Sequence, residues 1–79
     1  MGKKRSAPDI RERFGDGVRA RREELDLTQE ELAGEAGIHR TYLSDIERGS
    51  RNVSLVNIEK LAAALSLSIS ELFRLVERS

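Results

Sequence analysis

Residues 28–52 read TQEELAGEAGIHRTYLSDIERGSRN, and this stretch carries the strongest structural signals in the sequence. Thr28, followed three residues later by Glu31, forms the pattern of a capping box, in which two side chains satisfy free backbone N–H groups at a helix start. Gly37 suits the left-handed conformation that ends a helix and turns the chain. A second helix is expected over about 39–48. The stretch therefore predicts two short helices joined by a tight turn.

The second of these helices has an apolar inner face and a polar outer face. Leu43 and Ile46 are three residues apart and face inward. A surface helix without a binding role usually shows Glu, Lys and Ala on its outer side. Here the outer residues are Arg40, Thr41, Ser44, Asp45 and Arg48. This is the pattern of a helix-turn-helix, which lays its second helix into the major groove of DNA.

Three further helices are predicted around this motif, and no segment alternates with the period of a strand. Asp9, Ser54 and Ser68 are placed to cap them. Their inner faces are Ile10, Phe14, Val18 and Leu25 in the first helix, Leu55, Ile58, Leu61, Ala62 and Leu65 in the fourth, and Ile69, Leu72, Phe73 and Val76 in the fifth. The fold class is therefore all-α, a compact five-helix domain.

Gly15 and Gly17 interrupt the first predicted helix. Each weakens a helix by about 1 kcal/mol relative to Ala. Either another helix packs closely against the two glycines, or the helix breaks near them.

Length, charge and composition limit the kinds of protein that the sequence can encode. Seventy-nine residues allow one core, expected over 9–79, behind a basic flexible tail over 1–8. The formal net charge is zero, yet the charges are segregated, with a basic stretch before residue 23 and only acids among the charged residues of 23–37. There is no Cys, no apolar run long enough for a membrane and no signal peptide, so a cytoplasmic location is expected.

Three motifs resemble the Cro/lambda-repressor type of helix-turn-helix regulator. They are Val18-Arg19-Ala20-Arg21-Arg22, Leu27-Thr28-Gln29-Glu30-Glu31-Leu32-Ala33 and Ile46-Glu47-Arg48-Gly49. The segment 39–52 looks most like the controller proteins of restriction–modification systems. The resemblance implies a lambda-repressor-like fold in which the helix after Gly37 is the recognition helix. Arg21 departs from it, because the family often has an apolar residue there.

Two sets of residues are candidates for DNA contact. Arg40 can donate two parallel hydrogen bonds to a guanine edge, and Thr41 and Ser44 can contact bases or a thymine methyl group. Asp45 can accept from cytosine or repel wrong sites. The candidates for backbone contact are Gln29, His39, Tyr42, Arg48, Arg51 and Asn52. Tyr42 can instead pack its ring on a neighbouring helix. His39 is the only His, so no metal site is expected.

The resemblance also implies an ion pair between Arg22 and Glu47 that fixes the angle of the recognition helix. A monomer places only one such helix on DNA. A twofold dimer places two of them about 34 Å apart, one turn of the duplex. The fifth helix carries more apolar residues than a monomer core needs, and the predicted dimer interface is Leu67, Ile69, Phe73 and Val76.

The leading hypothesis is a sequence-specific transcriptional regulator, activator or repressor, that binds an inverted-repeat operator in double-stranded DNA as a homodimer. The alternative is an antitoxin or adaptor that uses the same fold to bind a protein through the acidic stretch 23–37. No nucleophile or paired acids mark an enzyme, and neither a cofactor nor a small-molecule ligand is expected.

Overall fold

The computed structural model describes residues 8–78, which fold into five α-helices with no strand among them. Their bounds are α1 (Ile10–Glu24), α2 (Gln29–Ala36), α3 (Arg40–Glu47), α4 (Leu55–Ala64) and α5 (Ile69–Arg78). The predicted all-α class and the number of helices are confirmed. Apart from Pro8, the predicted basic tail over 1–8 lies outside the described residues. None of these helices is long and apolar enough to cross a membrane.

Short-range caps fix where the helices begin, as the sequence predicts. The Thr28 hydroxyl accepts from the Glu31 N–H at 3.0 Å, and the Glu31 carboxylate accepts from the Thr28 N–H at 2.9 Å. Ser68 and Glu71 form the same capping box before α5. Asp9 caps α1, and hydrogen bonds from the Arg11 guanidinium and the Arg11 backbone N–H lower the pKa of Asp9 to about 2.

The core lies where α1 packs on α3 and α5 while α2 packs on α3 and α4. The buried apolar side chains are Phe14, Val18, Leu32, Ala33, Ala36, Leu43, Ile46, Leu61, Ala62, Leu65, Leu72 and Val76. Most of the predicted inner faces are thus confirmed. Phe73 is half-buried, with its ring centroid 5.8 Å from that of Phe14.

The two glycines of α1 mark close packing and not a break, because the helix continues through both. A Cβ atom added at Gly15 would lie 2.3 Å from the carbonyl oxygen of Ile46. A Cβ at Gly17 would lie 3.4 Å from the Val76 side chain. Gly15 therefore lets the backbone of α3 approach α1 more closely than any side chain would allow.

Three residues predicted to lie on inner faces are exposed. Ile10 is 50% exposed, Leu55 is 83% exposed and Ile69 is 45% exposed. Each is the first residue of its helix. Helical spacing gives the direction of a side chain around the axis, but not whether a neighbouring element extends as far as that turn.

Arg21, the departure from the resembled family, has a structural partner. Its Nε donates to the carbonyl oxygen of Leu65 at 3.1 Å, and its Nη1 lies 2.9 Å from the Glu24 carboxylate. Leu65 is the C-cap of α4, so the Arg21 guanidinium supplies a donor to a carbonyl at the end of that helix. Leu25, predicted on the inner face of the first helix, is half-buried against the core just after α1 ends.

Candidate nucleic-acid interface

The turn between α2 and α3 is closed by backbone hydrogen bonds. Gly37 has φ 71°, the left-handed conformation that the sequence predicts. The N–H of Gly37 donates to the carbonyl of Gly34 at 3.3 Å, and the N–H of Ile38 donates to that of Ala33 at 3.0 Å. These bonds satisfy carbonyls at the end of α2 and set the direction in which α3 leaves the turn.

An ion pair fixes the other end of α3. The Nε of Arg22 donates to Oε2 of Glu47 at 2.7 Å, and its Nη2 donates to Oε1 at 3.0 Å. Nη1 donates to the carbonyl of Leu27 at 2.8 Å. The Glu47 side chain is only 4% exposed, and its hydrogen bonds raise the pKa of Arg22. Arg22 thus ties α1, the following loop and α3 together in the arrangement that the resemblance implies.

Gln29 also contacts this ion pair, which the sequence does not reveal. Its Nε2 donates to Oε1 of Glu47 at 2.9 Å, and the residue is half-buried. The predicted phosphate contact by Gln29 remains a prediction, but one of its amide donors is already engaged. Gln29 links the first turn of α2 to the last turn of α3, so the ion pair holds both helices of the motif.

The start of α3 presents side chains to solvent. His39 is the N-cap, and Arg40 and Thr41 occupy the first two helical positions. All three are exposed. Leu43 and Ile46 on the opposite face are buried. A duplex therefore has access to Arg40 and Thr41 while the inner face of α3 is held in the core.

Further along α3 and in the loop after it, several residues that are predicted to contact DNA form hydrogen bonds with one another. The Asp45 carboxylate accepts from Nη2 of Arg48, and from Nε and Nη2 of Arg51 at 3.2 Å each. Nη1 of Arg48 donates to the Ser44 hydroxyl at 2.8 Å. Ser44 and Asp45 are only half-buried, so both remain within reach of solvent.

Tyr42 uses both its ring and its hydroxyl. The guanidinium carbon of Arg51 lies 5.2 Å from the centroid of the Tyr42 ring, within the range of a cation–π contact. The Tyr42 hydroxyl accepts from Nδ2 of Asn57, in α4, at 3.2 Å. Asn52 is exposed in the loop after α3. No local pattern singles out Asn57, because its partner Tyr42 is fifteen residues away.

The residues predicted to form a dimer interface have different surroundings. Ile69 is 45% exposed, while Leu67 and Phe73 are half-buried against the core. Val76 is fully buried within one chain, so the prediction that its side chain contacts a partner is corrected. A shallow apolar groove lies between α4 and α5, lined by Leu55, Val56, Ile58, Glu59, Ile69 and Phe73. Leu55 and Val56 of α4, which the predicted set of interface residues does not include, lie beside Ile69 and Phe73 in this groove.

The fold and this surface define a helix-turn-helix DNA-binding regulator. The helix-turn-helix family model matches residues 18–72, and the chain belongs to that family.

Among residues 8–78, no group of three or more His, Asp or Glu side chains is arranged to hold a metal ion.

Within this family, the chain is similar to two control proteins and to a restriction–modification controller protein of known structure. It is 49% identical over 71 residues to control protein C.MunI of Mycoplasma sp., covering 89% of this chain and 96% of C.MunI. It is 52% identical over 65 residues to control protein C.BamHI of Bacillus amyloliquefaciens, covering 81% of this chain and 80% of that protein. The crystal structure of the restriction–modification controller protein C.AhdI from Aeromonas hydrophila matches with a TM-score of 0.78 and 49% identity, over 80% of this chain and 96% of C.AhdI.

Proposed function

We propose that this protein binds an inverted-repeat operator as a homodimer and controls transcription in a restriction–modification system. The observation that carries the proposal is the exposure of Arg40 and Thr41 at the start of a helix whose direction is fixed at both ends. The likeness to the restriction–modification controller protein C.AhdI supports the restriction–modification setting.

Arg40 is the proposed main base reader. A guanidinium at the start of a recognition helix can donate to O6 and N7 of a guanine, which discriminates against other bases by about 1–3 kcal/mol. Thr41 adds a methyl and a hydroxyl group for a neighbouring base. His39, Tyr42 and Asn52 flank this position, where they can contact phosphates and set the register.

A second copy of the chain is the proposed occupant of the groove between α4 and α5. Leu55, Val56 and Ile69 expose apolar surface there, and burying such surface stabilises an interface by about 25 cal/mol per Å². The groove is formed by helices other than α2 and α3. A dimer built on it therefore leaves both recognition helices available to one duplex.

A binding role without catalysis or cofactor, in the cytoplasm, is part of the same proposal. The family is one of DNA-binding regulators, and the proposed activity needs only side-chain donors and acceptors that reach base edges and phosphates.

Selection from random duplexes tests the proposed function. We expect the protein to enrich an inverted repeat whose half-sites are centred about 10 base pairs apart, the spacing of two recognition helices in a twofold dimer. Footprinting should show protection of both halves. Failure to enrich any sequence, together with stoichiometric capture of a protein partner, would contradict the proposal and favour the antitoxin or adaptor alternative.

A matched pair of variants tests the dimer. Ile69→Glu places a charge in the groove, and Ile10→Glu places the same charge at an equally exposed isoleucine that is also the first residue of its helix. Sedimentation should show a monomer for Ile69→Glu and a dimer for Ile10→Glu. Dimers of equal stability in both variants would place the interface elsewhere.

A further inference from the structure

Asp45 lies on the outer face of α3, yet its carboxylate is turned toward two arginines of its own chain. One oxygen accepts from Arg48 and the other accepts twice from Arg51. The Asp45 side chain is 18% exposed, whereas those of Arg48 and Arg51 are 63% and 51% exposed. A shielded carboxylate therefore lies beneath two exposed guanidinium groups.

Neighbouring groups hold this arrangement in place. Arg51 lies over the Tyr42 ring, and Arg48 also donates to the Ser44 hydroxyl. The Asp45 carbonyl accepts from both the N–H and the hydroxyl of Ser50, which ties the loop to the end of α3. Both arginines are thus directed toward Asp45 before any DNA is present.

Sequence-independent DNA binding comes from cations that neutralise phosphates and release counterions. An arginine already paired with a carboxylate contributes less to this effect. If it moves to a phosphate, it leaves the carboxylate without its partner beside a negatively charged duplex. Asp45 therefore weakens every DNA complex in which Arg48 and Arg51 leave its carboxylate for phosphates and no other donor replaces them.

A base that presents an amino group changes this balance. The N4 amino group of cytosine and the N6 amino group of adenine are donors in the major groove, whereas guanine O6 and thymine O4 are acceptors. When α3 is seated on a site with a donor opposite Asp45, the carboxylate exchanges its arginine partners for that donor. At other sites it faces acceptors, and no donor replaces the arginines that move to phosphates.

We propose that Asp45 is a specificity-determining residue that competes with DNA phosphates for Arg48 and Arg51, and that a site with an amino-group donor opposite Asp45 releases both arginines with a smaller loss than any other site. The inference rests on the proposed function, because it requires α3 to enter the major groove. It differs from a role for Asp45 as a base reader alone, since the two arginines are the groups through which it weakens binding to other DNA.

The test compares the selected operator with a scrambled duplex of equal length and composition, by fluorescence anisotropy at several salt concentrations. For Asp45→Asn we expect scrambled-DNA affinity to rise about tenfold, the scale of one lost charge-assisted pair. The slope of log affinity against log salt concentration should steepen by about one to two, because two more arginines then neutralise phosphates and release counterions. Operator affinity should change less. The specificity ratio, which is the operator affinity divided by the scrambled-DNA affinity, therefore falls. Glu35→Gln, which removes an equal charge from an exposed position of α2, should leave the ratio unchanged.

The double variant Arg48→Gln/Arg51→Gln distinguishes competition for the two arginines from simple repulsion between Asp45 and DNA. In this double variant, adding Asp45→Asn should no longer raise scrambled-DNA affinity. An equal rise in that background, or an unchanged ratio in the single variant, would overturn the inference while leaving the proposed function intact. A wild-type protein that binds both duplexes equally would instead contradict the proposed function.

Discussion

We expect Glu47→Ala to lower the free energy of unfolding by about 3–5 kcal/mol, the usual loss when one partner of a buried ion pair is removed. The reason is that Arg22 keeps its charge in a half-buried position while losing two hydrogen bonds to Glu47. Gln29 loses its acceptor at the same time. Since these bonds join α1, α2 and α3, operator affinity should fall with stability.

Urea denaturation at one fixed protein concentration measures this effect, because a dimer's apparent stability depends on concentration. Glu23→Ala is the matched control, since Glu23 pairs with Arg19 at 3.3 Å on the exposed surface of α1. An exposed pair of this kind contributes less than about 1 kcal/mol. Equal losses in the two variants would contradict the structural role of the Arg22–Glu47 pair.

Gly15→Ala is expected to destabilise the fold by about 3 kcal/mol, the upper end of the usual range for overpacking. The added methyl group would lie 2.3 Å from the Ile46 carbonyl oxygen and 2.8 Å from that of Glu47. Backbone oxygens inside a helix cannot rotate away as a side chain can, so α1 and α3 must separate. Thermal denaturation followed by circular dichroism would report the loss.

Gly34→Ala provides the control for this substitution. Gly34 lies within α2, and a Cβ atom there would meet nothing within 4 Å. The same change should therefore stabilise the protein by about 0.5–1 kcal/mol through its effect on chain entropy and helix propensity. A Gly15→Ala variant as stable as Gly34→Ala would show that the close approach of α1 and α3 does not exist in solution.

The sequence predicts the helices well because their signals are local. The Thr28–Glu31 and Ser68–Glu71 capping boxes each span four residues, and the left-handed turn at Gly37 depends on one residue. Apolar spacing then assigns most of the core. Such local patterns do not indicate the ion pair between Arg22 and Glu47, because the two residues are twenty-five positions apart. Only the family resemblance implies this pair.

What the sequence could not predict depends on contacts between distant segments. Arg21 interacts with Leu65 across forty-four residues, which no spacing rule indicates. Leu55 fits an apolar stripe, yet it is exposed because no element within residues 8–78 covers the first turn of α4. The partners of Asp45 are closer in sequence, but which arginine a carboxylate selects depends on the path of the loop after α3.

The operator preference of Arg40→Ala tests whether the outer face of α3 reads base edges. Affinities of the wild type and the variant for operator and scrambled duplexes are compared at one salt concentration, with circular dichroism to check the fold. Arg19→Ala removes an exposed arginine from α1 as a control. We expect Arg40→Ala to lose about 1–3 kcal/mol of preference for the operator while Arg19→Ala loses none. A folded Arg40→Ala protein with the full preference of the wild type would rule out Arg40 as the reader of the operator.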